Sequence, residues 1–231
     1  MVSGFDKAFI IQDDSKFTFE ERKLIKKFVK AKHCKRYVVD GYTKYILIDD
    51  SIKSEEYLKE NYPNIYLKLE VYKEEMKNRY LVNKMWFNWQ ALRNYEFLLK
   101  NYNKKRIYVP TLDRHNYNRF SLGEEGLLPA GDVLFIQPFD EENLYFLLGY
   151  LNSSFFRKYY LENGGRRGGR IVFTQKFLEN AKIPIFENKL KDEIIKITLE
   201  ILDKKNKNDI SNLENEMDNI INKFITLKFW S

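Results

Sequence analysis

The segment NLYFLLGYLNSSFFRKYYLE, residues 143–162, constrains the fold more than any other. Leu144, Leu147, Leu148, Leu151, Phe155 and Phe156 recur at helical spacing, with a small break over residues 151–154. One side of this helix is therefore expected to be buried. Short strand-like runs flank it. KKRIYVP stops at Pro110, GDVLFIQPF starts from a glycine turn, and IVFT follows Arg170. Nearer the start, residues 8–11 read as a strand and FTFEERKLIKKFVK as a helix. Thr18 or Asp14 would cap that helix, and Leu24, Ile25, Phe28 and Val29 would form its apolar stripe. RYVVDGYTKYILI reads as two strands, 37–39 and 45–48, paired in a hairpin around Asp40 and Gly41. Ile65, Leu69, Tyr72 and Met76 have helical spacing, and WFNWQALR is aromatic enough to be core. Many short strands mixed with several helices, without a repeat, predict an α+β fold rather than a regular βαβ array.

The composition changes after FLENAKIPIF. Leu190, Ile194, Ile197 and Ile201 are spaced by four, three and four. Leu213, Met217, Ile220, Phe224 and Leu227 resume the pattern after KKNKND. Two helices joined by a polar turn are expected, as an intramolecular hairpin or a surface for a partner. The predicted division is a mixed domain over 1–186 and a helical hairpin over 187–231. Leu213, Met217, Ile220 and Phe224 are the partner-docking candidates.

A search for reacting groups finds few. Only His33 and His115 occur, and Cys34 beside His33 lacks the remaining ligands of a metal site. The acidic pairs Asp13-Asp14, Asp49-Asp50 and Glu124-Glu125 read as solvated turns. No G-x-S-x-G elbow, H-E-x-x-H site, Walker A loop or dinucleotide fingerprint is present. No metal and no catalytic residue is assigned, and the expectation is a binding protein rather than an enzyme. The lone cysteine suits a reducing compartment, and no apolar run resembles a signal peptide or a membrane span. A cytoplasmic protein without a membrane partner is expected.

Charge points to the ligand. The 231 residues carry 40 Lys and Arg against 33 Asp and Glu, a formal net charge of +7. That balance permits a nucleic acid or another anionic surface. It is concentrated in two segments that also hold aromatics: KKRIYVPTLDRHNYNRF, residues 104–120, and FRKYYLENGGRRGGR, residues 156–170. Arg and Lys contact phosphate oxygens, whereas Arg, Asn and His pair with base edges. The glycines would let backbone amides approach phosphate. The loop lacks the GK[ST] ending of a nucleotide-binding loop.

The order of motifs is informative. GFDKAFII, RYVVDGYTKYILI, YPNIYLKL, MKNRY and MWFNWQALR are followed by KKRIYVP, GDVLFIQ, YFLLGYLNSSFFRKYYL, GGRRGGRIVFTQKFLENAKIPIF and LENEMDNIINKFITL. The series resembles the C-terminal target-recognition domain of TaqI-like N6-adenine DNA methyltransferases and fused restriction–modification enzymes. LNSSFF is also similar to segments of type I restriction specificity subunits. The resemblance implies a sequence-specific duplex DNA recognition module that targets an adenine-N6 methyltransferase subunit, with S-adenosylmethionine held in that partner or in a missing catalytic domain. A fragment of a fused methyltransferase or endonuclease, and a binding protein for another polyanion such as RNA, are the alternatives.

On this reading Arg166, Arg167 and Arg170 contact phosphates, with Lys44, Lys104, Lys105 and Arg106 adding positive field. Arg114, His115, Asn116, Asn118 and Arg119 read bases. The resemblance further implies that Trp86, Trp89 and Arg93 are structural, that Asn152 ties backbone, and that Ile183, Pro184 and Ile185 close the mixed domain.

Overall fold

The computed structural model describes residues 1–205 and 209–229. It has the expected α+β character, and it divides into two compact units, each assembled from separate stretches of chain. The first comprises residues 1–30, 41–104 and 126–131; the second comprises 31–40, 105–125 and 132–231.

The first unit is built on a four-stranded sheet in the order Ile10–Ile11, Thr43–Ile46, Ile25–Val29, Leu127–Pro129. The last pair is parallel and the others antiparallel. Trp89 fills its core. The indole stacks on Phe28 at 5.0 Å and donates from Nε1 to the Ile46 carbonyl at 2.8 Å. Trp86 is also interior, whereas Arg93, expected beside them, is exposed.

Three sequence expectations change in this unit. The helix predicted across FTFEERKLIKKFVK ends early, at Phe19–Lys23, and the chain continues as the strand Ile25–Val29. Thr18 does cap it, and Glu21 completes the capping box. The buried Glu21 carboxylate also accepts from the Asn64 and Ile65 amides, so it joins two helix starts. The strand expected over 8–11 is the helical turn Asp6–Phe9 followed by two strand residues. The hairpin around Asp40 and Gly41 does not form. Thr43–Ile46 pairs within the first unit, whereas Tyr37–Val38 pairs with Ser121–Gly123 in the second.

The second unit contains the sheet Tyr37–Val38, Ser121–Gly123, Arg106–Pro110, Val133–Ile136. The helices Glu142–Asn152 and Ser154–Asn163 bury Leu144, Leu148, Leu151 and Phe156 in a core with Ile107 and Phe120. The expected break is at Ser153, whose Oγ accepts from the Phe156 amide and caps the second helix. Asn152 ties backbone as expected. Its Oδ1 accepts from the Phe120 amide, and its Nδ2 donates to the Phe120 and Leu148 carbonyls.

The C-terminal helices form as expected, over Asn188–Lys204 and Ser211–Phe229. They belong to the second unit, so the observed division does not follow the expected 1–186 and 187–231 boundary. Gly149 lets Asn188–Lys204 approach closely: a Cβ there would collide with Thr198 Oγ1. The docking assignment is corrected by the same packing. Met217 and Phe224 are buried in this unit's core, and Leu213 and Ile220 pack against it. Their apolar faces are consumed by the chain's own fold. Ile183 and Ile185 are exposed, and Phe186 closes the core there, stacked on Phe224 at 4.4 Å.

Candidate nucleic-acid interface

The glycine–arginine segment is an ordered β-hairpin. Gly165–Arg167 pairs antiparallel with Arg170–Val172, and Arg167 stands opposite Arg170. Gly168 and Gly169 form the two-residue turn with φ of 53° and 69°. Two successive positive φ values match the twist of a tight hairpin, and glycine adopts them without a Cβ penalty. A Cβ on either would meet nothing within 4 Å, so the turn is an open tip rather than a cradle for a cofactor.

Strand alternation separates the arginines. Arg167 and Arg170 share one face; Arg166 lies on the other, opposite Ile171. Ile171 is buried and fixes that face toward the core. Arg166 is exposed, and its Nη2 donates to the Leu161 carbonyl at 3.3 Å, near the end of Ser154–Asn163.

The hairpin is anchored to the other basic segment. Ile171 pairs with Asp113 and Val172 with Leu112, so the loop that follows Asp113 starts from the base of the arginine ribbon. Asp113 organises that loop from a fully buried position. Its Oδ1 accepts from the His115 amide at 3.1 Å and lies 2.6 Å from His115 Nδ1. Its Oδ2 accepts from Arg119 Nε at 2.7 Å. Burial alone would raise the Asp113 pKa, but the hydrogen bonds from Arg119 and His115 outweigh it and hold the carboxyl below the usual range.

Arg157 supports the loop from the adjacent helix. It donates from Nη2 to the His115 carbonyl at 2.8 Å and from Nη1 to Asn118 Oδ1 at 3.2 Å. Burial lowers its pKa; Asp113 opposes that shift and Arg166 adds to it. The Arg36 guanidinium lies 5.7 Å from the exposed Tyr117 ring while bonded to Glu214 and to the Asn152 carbonyl.

The predicted base-reading residues therefore fall into two groups. Arg114, His115 and Asn116 are exposed. Asn118 and Arg119 are corrected to scaffold: Asn118 is buried with its Nδ2 on the Leu151 carbonyl, and Arg119 also holds the Ala31 and Cys34 carbonyls. Among the phosphate candidates, Arg106 is fully buried with Nε on Gln137 Oε1 at 2.7 Å, which removes it from any surface. Lys105 pairs with Glu124 at 3.1 Å and Lys44 with Asp14 at 2.8 Å. Lys104 is exposed.

Sequence reasoning missed Arg157, Arg36 and Asp113 as organising groups. Asp113 is the one acidic residue between Lys104 and Phe120, and that isolation was the available signal. His33 is buried beside Cys34, whose thiol pKa burial pushes up to about 12. Among the described residues no group of His, Cys, Asp and Glu is placed to hold a metal ion, and no helix is long and apolar enough to cross a membrane.

The fold has counterparts in restriction–modification enzymes. The MmeI type IIL restriction-modification enzyme, solved in complex with DNA, superposes with a TM-score of 0.68 at 12% identity, covering 98% of this chain and 32% of that one. The type IIG restriction endonuclease BpuSI gives 0.50 at 15% identity, covering 89% and 26%. These likenesses concern the fold. Sequence similarity is more direct. The type II methyltransferase M.MjaIV of Methanocaldococcus jannaschii is 63% identical over 225 residues, covering 96% of this chain and 76% of that protein. The type II methyltransferase M.HindII of Haemophilus influenzae is 33% identical over 202 residues, covering 84% of this chain and 38% of that protein. No protein-family profile matches the sequence.

The chain belongs to the type II methyltransferases of restriction–modification systems. The expectation that it is not an enzyme is overturned by M.MjaIV, an enzyme matched over most of both chains. Missing catalytic motifs were a poor basis for that expectation.

Proposed function

We propose that the second unit carries the DNA target-recognition surface of this methyltransferase. The exposed arginines of the hairpin contact backbone phosphates, and Arg114, His115 and Asn116 contact base edges. The observation that carries this reading is the pairing of Ile171 with Asp113 and Val172 with Leu112, which joins the two most basic segments into one structural element. A two-stranded ribbon of this kind fits the major groove of duplex DNA. The buried ion pair at its base holds the loop in one geometry, which base readout requires.

The reaction served is methylation of adenine N6 in duplex DNA, in the cytoplasm. S-adenosylmethionine supplies the methyl group and would be held by a methyltransferase core or an adenine-N6 methyltransferase subunit. The open Gly168 and Gly169 turn does not fit that cofactor. Arg114→Ala and Asn116→Ala test the base-reading assignment by competition between the preferred duplex and single-base variants. Each is expected to lose about 1–3 kcal/mol of discrimination at one position while retaining overall affinity for unrelated duplex. Equal discrimination in the native protein and both variants would refute it.

A further inference from the structure

His115 differs in chemistry from the arginines of the two basic segments. Arg114, Arg166, Arg167 and Arg170 offer only donors, whereas a neutral imidazole offers one donor and one acceptor. Which nitrogen is which depends on Asp113. Its carboxylate is fully buried, and both oxygens are occupied, Oδ1 by the His115 amide and Nδ1 and Oδ2 by Arg119 Nε. An ionised carboxylate only accepts, so the proton of the neutral ring sits on Nδ1. Moving it to Nε2 would set the Nδ1 lone pair 2.6 Å from the carboxylate oxygen, which would keep only the His115 amide as donor.

Position is restrained as well as tautomer. Arg157 holds the His115 carbonyl at 2.8 Å, and the imidazole packs 5.2 Å from the Tyr117 ring. The side chain keeps 44% of its exposure, and Nε2 is the ring nitrogen left for a ligand.

We propose that His115 is a specificity-determining residue whose Nε2 accepts a hydrogen bond from the exocyclic amino group of an adenine or cytosine in the target. This assignment rests on the DNA-recognition reading above. In the major groove the adenine N6 and cytosine N4 amino groups are the base-edge donors, and guanine and thymine present acceptors at the corresponding positions. A fixed acceptor selects against guanine and thymine at one position, where an arginine would favour guanine.

The test uses the whole chain and its preferred duplex, found by selection from randomised DNA. Each adenine is replaced in turn by purine, and each cytosine by pyrimidin-2-one, which removes only the amino group. One replacement is expected to weaken native binding roughly 3–10-fold and to leave His115→Ala unaffected; whether it is a purine or a pyrimidine replacement identifies the base. The same penalty in His115→Ala, or no penalty anywhere, overturns the assignment. Imidazole ¹⁵N spectra of the free chain give a second readout: protonated Nδ1 with bare Nε2 is expected, and the opposite tautomer overturns it. Sequence-selective binding without this amino dependence would defeat the His115 assignment alone. Sequence-indifferent binding would defeat it together with the recognition reading.

Discussion

Replacing Asp113 with asparagine separates the scaffold of the loop from its surface. The substitution preserves volume but converts one carboxylate oxygen to an amide donor. Either Arg119 Nε or His115 Nδ1, now 2.7 and 2.6 Å from an acceptor, would then face a donor. Removing one partner of a buried ion pair costs about 3–5 kcal/mol. Arg119 keeps the Ala31 and Cys34 carbonyls at 3.2 and 2.9 Å and is 11% exposed, so a loss of roughly 2–3 kcal/mol is expected. Because the chain has two units, a single unfolding midpoint would mix them, and amide hydrogen exchange is the suitable assay. Amides of 107–109 and 121–123 should exchange roughly 30–150-fold faster in the variant, while those of 43–46 in the first unit serve as reference. Unchanged exchange in the second unit, or equal acceleration in both, would refute the assignment of Asp113 as its organising group. The acid limb follows with a defined sign. The folded pKa lies below the unfolded value of about 3.9. The stabilisation is therefore present above about pH 4 and is lost as pH falls through the folded pKa, a loss that Asp113→Asn should lack.

Gly149→Ala should destabilise the second unit by about 1–2 kcal/mol in the same exchange assay, although alanine is the better helix former. The added Cβ meets Thr198 Oγ1 and lies 3.0 Å from Met217 Sδ, and adding Thr198→Ala should recover part of the loss. Replacing Gly168 and Gly169 together by alanine should cost roughly 1–2 kcal/mol at each positive-φ position and weaken duplex binding measured by titration. An Asn-Gly turn at the same place should preserve it.

The sequence reveals the core of the second unit more readily than its connections. Leu144, Leu148, Leu151 and Phe156 display their helical period, and Ser153 interrupts it where the helix is recapped. Both C-terminal helices are equally visible, but their partner is not. The stripe at Met217 and Phe224 is the same whether it meets another protein or its own core, and only the close approach at Gly149 decides it. The hairpin misassigned around Asp40 and Gly41 has a related cause, because turn chemistry is local and strand partners are not. Tyr37–Val38 reaches across more than eighty residues to Ser121–Gly123. At the interface, composition identified the two basic segments without ranking their members. Arg106 and Arg119 look like Arg114 and Arg167 in sequence, yet Gln137, Asp113 and two backbone carbonyls draw them inward. Burial separates those roles, and it depends on long-range packing.

The most direct test of the recognition surface is the salt dependence of duplex binding by Arg166→Ala/Arg167→Ala/Arg170→Ala compared with the native chain. Each lost phosphate contact removes about 0.9 from the slope of log affinity against log salt. Three contacts predict a slope shallower by roughly 2–3 and weaker binding to every duplex, preferred or not. Native affinity and an unchanged slope in the triple variant would contradict a surface built on this hairpin.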